Sequence, residues 1–373
     1  MFDNDARTRS PAELARVVLE GSLKLNKGSS VVIETWDHTR AIAEEFVAES
    51  RRLGARPVLV YQSESAFWDS LDRQRLESLS GPPASLQAAL RASQAYVYFP
   101  GPGDLERVRS LPEETRATLW GSHGGPNGYW EATARALGVP SVRMEIGNVT
   151  ESDARLFGVD VVAWRRELEQ ASAVDPFQLQ HDARRLIDAI GTGREIEIAH
   201  PNGTRLAVRL LGTRPWADDG VIDTDDRRHG QRLASVPAGI VSLALDEKLA
   251  EGRFVANLPT RKRQGAFDGA DLRFRKGLLE SFRFRSGEAA FLGRYATASD
   301  GRDRPAMIEF GLNPHIRNAP NVEGLGRGTI TLRIGDNFQM GGRTRIGYGE
   351  RFYLTGADVR VDGRPVIRQG ELA

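Results

Sequence analysis

The sequence predicts an open, mainly parallel α/β domain in its amino-terminal half and a β-rich α+β domain after it. Three observations carry that reading. Short apolar, β-branched runs alternate with amphipathic helical stretches up to about residue 172. From about residue 193 the pattern changes to two-residue alternation around Asn-Gly and Lys-Gly turns. The chain has 373 residues, 40% apolar and 27% charged, enough for two packed domains.

The elements follow in order. "SPAELARVVLEGSLKL" opens a helix through a capping box, with Ser10 at the N-cap, Pro11 at N1 and Glu13 at N3. "SVVIETW" is a buried strand, and "TRAIAEEFVAESRRLGA" a helix that stops at Gly54. "PVLVYQ", "QAYVYFP" and "VPSVRMEI" are the next strands. The Gly- and Pro-rich stretch 101–127 reads as loops at the carboxyl ends of strands, where open α/β sheets bind ligands. "DPFQLQHDARRLIDAIGTG" supplies a connecting helix within 173–192. The domain 193–373 then builds hairpins from "REIEIAHPNGTRLAVRLL" and "GADLRFRKGLLESFRFRSG". A single helix at "GEAAFLGRYATA" and strands at "GTITLRIG" and "ADVRVDGRPVI" complete it.

Bulk properties exclude whole classes of function. Lys plus Arg number 51 against 50 Asp plus Glu, so the basic excess of a nucleic-acid or membrane-surface protein is absent. There is no cysteine, hence no disulfide, thiolate zinc site or cysteine nucleophile. The amino-terminal segment is polar, and no apolar run reaches the roughly 18 residues of a membrane span, so the expectation is a cytoplasmic protein.

Direct chemical signals are sparse. The histidines are His38, His123, His181, His200, His229 and His315. In "DTDDRRHG", Asp225 and His229 stand one helical turn apart, although a solvated loop explains the segment as well. "SHGGPNGYW" sets His123 before a glycine pair, as either a plain turn or a ligand approach. No P-loop and no nucleophile elbow occurs. Composition and spacing alone stop at a soluble two-domain protein.

Five segments go further. "SVPAGIVSLALDEKLAEGRFVAN", "IEFGLNP", "GTITLRIGDNFQMGG", "ADVRVDGRPVI" and the opening "LNKGSSVVIETWDHTRAIAEEFVAESRRLGARPVLV" occur in an order and spacing that resembles the aminopeptidase T family of metallopeptidases. Ring-cleaving non-haem iron dioxygenases for dihydroxypyridines look like the same fold with another metal. The resemblance implies an aminopeptidase T-like fold, a cleft in the β-rich domain and a homodimer. It also implies metal ligands at positions held here by Ile240, Met307, Thr331, Gly349 and Arg351, with Glu309 two residues beyond Met307. Ile, Met, Thr and Gly bring no anionic or imidazole donor, and a guanidinium repels cations. The expectation is therefore a site without metal or other cofactor.

"GGRTRIGYGER" suggests what replaces the metal: arginines, with residues 343 and 345 on one face if the segment is a strand. The expected catalytic set is Arg351, Glu309, Tyr348 and His315. The expected substrate-binding set is Arg343, Arg345, Arg261 and Lys262, with Arg263 beside them. The substrate expected is a small anionic or peptide-like molecule, processed by metal-independent, hydrolase-type amide or ester chemistry. Two alternatives stay open: a non-catalytic homologue that binds a ligand or partner, and a true metallo-aminopeptidase with ligands displaced to Glu309, His315, Asp225 and His229.

Overall fold

The structure, a computed structural model, describes residues 8–73, 84–120, 133–262 and 265–373. Its strands in chain order are β1 Ser30–Trp36, β2 Arg56–Gln62, β3 Ala95–Tyr98, β4 Ser141–Met144, β5 Glu195–Ala199, β6 Arg205–Leu210 and β7 Trp216–Asp218. They continue as β8 Leu233–Val236, β9 Ile240–Val255, β10 Thr260–Lys262, β11 Gly265–Phe267, β12 Asp271–Arg275 and β13 Leu278–Arg283. The last are β14 Pro305–Gly311, β15 Thr329–Gly335, β16 Gly349–Thr355, β17 Asp358–Val361, β18 Arg364–Arg368 and β19 Glu371–Leu372.

The chain divides into two compact units, Met1–Pro176 with Gly220–Ala238, and Phe177–Asp219 with Gly239–Ala373. Residues 220–238, expected inside the β-rich domain, group with the first unit. The reason is that β8 pairs in parallel with β4 and closes one side of its sheet.

The first unit is a five-stranded, wholly parallel sheet in the order β2-β1-β3-β4-β8. Crossover helices explain the parallel pairing. The helix Arg40–Arg52 buries Ala43 and Phe46 and leaves Arg51 and Arg52 in its last turn, where cations suit the helix dipole. Val31 to Ile33 in β1 are fully buried, and so is Glu34. Glu34 accepts hydrogen bonds from the Tyr96 hydroxyl and Gln62 Nε2. Burial pushes its carboxyl up to about 8 against those bonds. Within the stretch 101–127, the described residues 101–120 are less irregular than their glycines and prolines suggest. Asp104 caps a helix Leu105–Ser110 by accepting from Arg107 N at 2.9 Å, and a second helix spans Glu113–Trp120. His123 lies outside the described residues.

The second unit is an antiparallel sheet in the order β16-β15-β14-β9-β6-β5-β17-β18-β19, with β7 and the hairpin β12–β13 also paired to β9. In its long strand β9, Gly252 takes a φ of +114°. A Cβ there would stand 2.1 Å from the Arg205 carbonyl oxygen on β6. Gly252→Ala is expected to destabilise the protein by about 1–3 kcal/mol through backbone strain, with the clash adding to it. Urea unfolding that matches wild type would show that β9 relaxes freely. The Lys276-Gly277 turn joins β12 to β13 with both φ angles positive, as a two-residue hairpin requires. The core packs the inner face of this sheet against the helix Pro176–Ile190 and an aromatic cluster around Phe267, Phe291 and Phe352.

Candidate functional site

In the second unit, register brings the segments named from sequence onto one face. Across β9, β14, β15 and β16, Ser242 stands opposite Glu309, Glu309 opposite Thr331, and Thr331 opposite Tyr353. One pair along, Met307 faces Arg333 and Arg333 faces Arg351. Alternation along each strand keeps these side chains on a common side. Ile240 opens the same row on β9, opposite Gly311.

Glu309 is the hub, its side chain only 2% exposed. Its Oε1 accepts from Arg333 Nη1 at 3.1 Å and Ser242 Oγ at 3.2 Å. Its Oε2 lies 3.7 Å from Arg351 Nε. Burial opposes the ionised form, but Arg333 and Arg351 prevail and hold the carboxyl below its usual range. Arg351 is the more open of the two arginines, its side chain 41% exposed against 20% for Arg333.

Above this row sits Glu323, in a short helical turn Glu323–Leu325. Gly324 allows the close approach, because a Cβ there would meet Thr331 Oγ1 at 2.8 Å and the Tyr353 ring at 3.1 Å. Glu323 has a fully buried carboxyl, with Arg261 Nη1 at 3.7 Å. Burial pushes it up to about 8, only partly offset by its own backbone N–H and by Arg261. Glu323 is therefore a neutral acid near pH 7. Arg261 is fixed by two hydrogen bonds to Asn318, at 2.8 Å to the carbonyl and 2.7 Å to Oδ1. Burial foremost, and then the charge of Glu323, raises the Tyr353 phenol.

Several buried polar atoms of this face have no hydrogen-bond partner among the described residues: Glu309 Oε2, Thr331 Oγ1 and Arg333 Nε. Buried polar groups ordinarily find partners, so a cluster of orphans marks a surface made for something else to bond.

The other expected residues lie elsewhere. Arg343 and Arg345 are exposed in an irregular segment, since β16 begins only at Gly349, and the shared strand face foreseen for them does not form. Glu247 holds that segment through the Arg343 and Thr344 N–H groups, and the Arg345 guanidinium rests over the Phe338 ring. His315 follows β14, and burial, with Arg317 and Arg327, lowers its imidazole. Lys262 and Tyr348 belong to a second cluster. Lys262 Nζ bonds Glu350 Oε2 at 2.6 Å, Arg294 bonds the other oxygen, and Arg294 also sits over the Tyr348 ring. Glu350 and Arg351 are neighbours in a strand, so the two clusters take opposite sides of β16. Among the described residues, the buried Tyr348 hydroxyl has no hydrogen-bond partner. In the first unit, Asp223 caps a short helix Thr224–Arg228, and His229 Nδ1 lies 2.8 Å from the Asp225 carbonyl oxygen. Arg263 lies outside the described residues.

The donor set of the face does not fit a divalent cation. Its single ionised carboxylate is already shared by two guanidiniums, and Ile240, Met307, Thr331 and Gly349 add no anionic or imidazole ligand. Among the described residues, no group of three or more His, Asp or Glu is placed to hold a metal ion.

No family model matches the sequence, and no curated protein matches it. The fold has solved counterparts. AmpT, the aminopeptidase T of Thermus thermophilus, is similar at a TM-score of 0.74 and 18% identity, covering 97% of this chain and 98% of its own. The 2,5-dihydroxypyridine dioxygenase of Pseudomonas putida KT2440 is similar at a TM-score of 0.63 and 14% identity, covering 98% of both chains. The chain thus has an aminopeptidase T-like fold. Among the described residues, no helix is long and apolar enough to cross a membrane.

Proposed function

We propose that this protein is a metal-independent enzyme of hydrolase type that acts on the amide or ester of a small organic anion. One observation carries the reading: three guanidiniums, Arg261, Arg333 and Arg351, converge on a buried face with a single ionised carboxylate and a neutral acid. Among the described residues this face carries more guanidiniums than ionised carboxylates, which suits an anionic ligand. Arg351, the most open, seats the substrate's carboxylate or phosphate. Arg333 lies deeper and polarises the scissile carbonyl, with its Nε as a further donor. Glu323 gives its proton to the departing nitrogen or oxygen, while water contributes hydroxide to the acyl carbon and its remaining proton restores Glu323. Glu309 is then a positioning residue, because two arginines keep it ionised and too weak a base to take a proton.

The test combines a panel of small anionic amides and esters with Arg351→Ala. The expected loss in kcat/KM is about a hundredfold, as for a charge-assisted contact made at the reacting centre. Arg351→Lys is expected to recover only part of it, since a point charge does not replace the fork. Treatment with EDTA followed by gel filtration should leave turnover and melting temperature unchanged. Activity that vanishes with the chelator and returns with Zn²⁺ or Mn²⁺ would overturn the reading. So would turnover indifferent to Arg351.

A further inference from the structure

We propose that the first unit holds a separate binding site for a phosphate-bearing small molecule, at the amino ends of β3, β4 and β8. A cavity of about 390 Å³ opens there, a volume suited to a small metabolite. Arg91, Arg227 and Arg232 line it, with Gln94 beside them and Leu137 and Val139 forming an apolar wall. None of its lining residues is acidic among the described residues.

The arginines come from three places: the end of the helix Ala84–Arg91, the helix Thr224–Arg228, and the residue before β8. Arg227 and Arg232 are half-buried, yet neither they nor Arg91 has a carboxylate partner among the described residues. The side-chain hydrogen bonds of Arg227 and Arg232 go to backbone carbonyls. Arg232 Nη1 donates to Arg227 O at 2.6 Å and Gln231 O at 3.0 Å, and Arg227 Nη2 donates to Leu23 O at 3.4 Å. Those bonds orient the guanidiniums without neutralising them. The nearby acids are engaged with their own backbone: Asp223 accepts from the Asp225 and Asp226 N–H groups, and Asp226 accepts from Asp223 N.

Half-buried charge without a counter-ion is costly unless an anion supplies it. Three forks approaching from three elements match the three outer oxygens of a phosphate monoester better than the two oxygens of a carboxylate. The apolar wall fits the organic body of such an ester. This inference is independent of the site in the second unit, because every residue it uses belongs to the first.

The test is site-resolved hydrogen exchange on the full chain, with inorganic phosphate as probe and chloride of equal ionic strength as control. Phosphate is expected to slow exchange in 137–139 and 227–232 in wild type and equally in Arg351→Ala. In Arg91→Gln/Arg227→Gln the effect should weaken by about tenfold or more. Arg91 is exposed and has no hydrogen bond among the described residues, so Arg91→Glu alone provides a variant expected to keep its fold, and it should abolish the protection. No protection in wild type, equal protection in the Arg91 variants, or succinate acting as strongly as phosphate would each overturn the assignment.

Discussion

Glu309→Ala is expected to lower the unfolding free energy by about 3–5 kcal/mol, the usual cost of removing one partner from a buried ion pair. The variant leaves Arg333 mostly buried beside Arg351, with no carboxylate between the two cations. Urea denaturation measures the loss. The double variant Glu309→Leu/Arg333→Met should regain most of it, because matched apolar groups leave no charge stranded. Acid unfolding gives a second reading. Glu309 titrates lower in the folded chain than its ordinary 4.5, so its contribution is present above that pH and fades as pH falls through the folded value. Glu309→Gln should lack that component. Alanine and wild-type curves that superimpose would mean the carboxylate does not hold the arginines.

Glu323→Gln is expected to change both turnover and the pH dependence of stability. Unfolded, Glu323 ionises near 4.5; folded, it keeps its proton up to about 8. Between those values the native state binds the extra proton, so stability falls as pH rises, by about 1.4 kcal/mol per pH unit for a single group. The amide cannot ionise, and its variant should lose that slope and gain relative to wild type toward pH 8. Glu34 contributes a similar slope from the first unit and remains in both proteins. Turnover should drop by about a hundredfold or more if the acid delivers a proton to the leaving group. The wild-type activity limb near pH 8 should disappear with it. Identical slopes and identical rates would remove Glu323 from the mechanism, whereas lost slope with retained activity would leave it a structural acid.

Much of the fold was legible because periodicity is a local signal. The capping box at Ser10, the stop at Gly54 and the Lys276-Gly277 turn are each set by a few adjacent residues. The parallel partner β8 was missed because "RLASV" reads like any short strand. Its return to β4 is decided by tertiary pairing. Within the stretch read as loops, the helix Leu105–Ser110 is set by its local cap at Asp104.

The site was half legible. Arg351 and Glu309 were named from the resemblance, and they lie 3.7 Å apart. Arg333 was overlooked, yet it left a trace: a charged residue within the otherwise apolar "TITLRIG", where alternation places it on the face of Thr331. Glu323 left almost none, because nothing in "NVEGLG" shows that this turn will be buried against Tyr353. For Arg343 and Arg345 the shared face does not form, because two-residue spacing implies one only inside a strand and β16 starts at Gly349.

The division of charge along β16 ties the strand to one register. Glu350 answers Lys262 and Arg294 on one side, and Arg351 answers Glu309 on the other. Slide this outermost strand by one residue and every side chain changes sides. Arg351 would then crowd two cations, and Glu350 would confront an acid. Mispaired chains are thus electrically penalised before their packing is complete, and the sheet's border proofreads its own assembly.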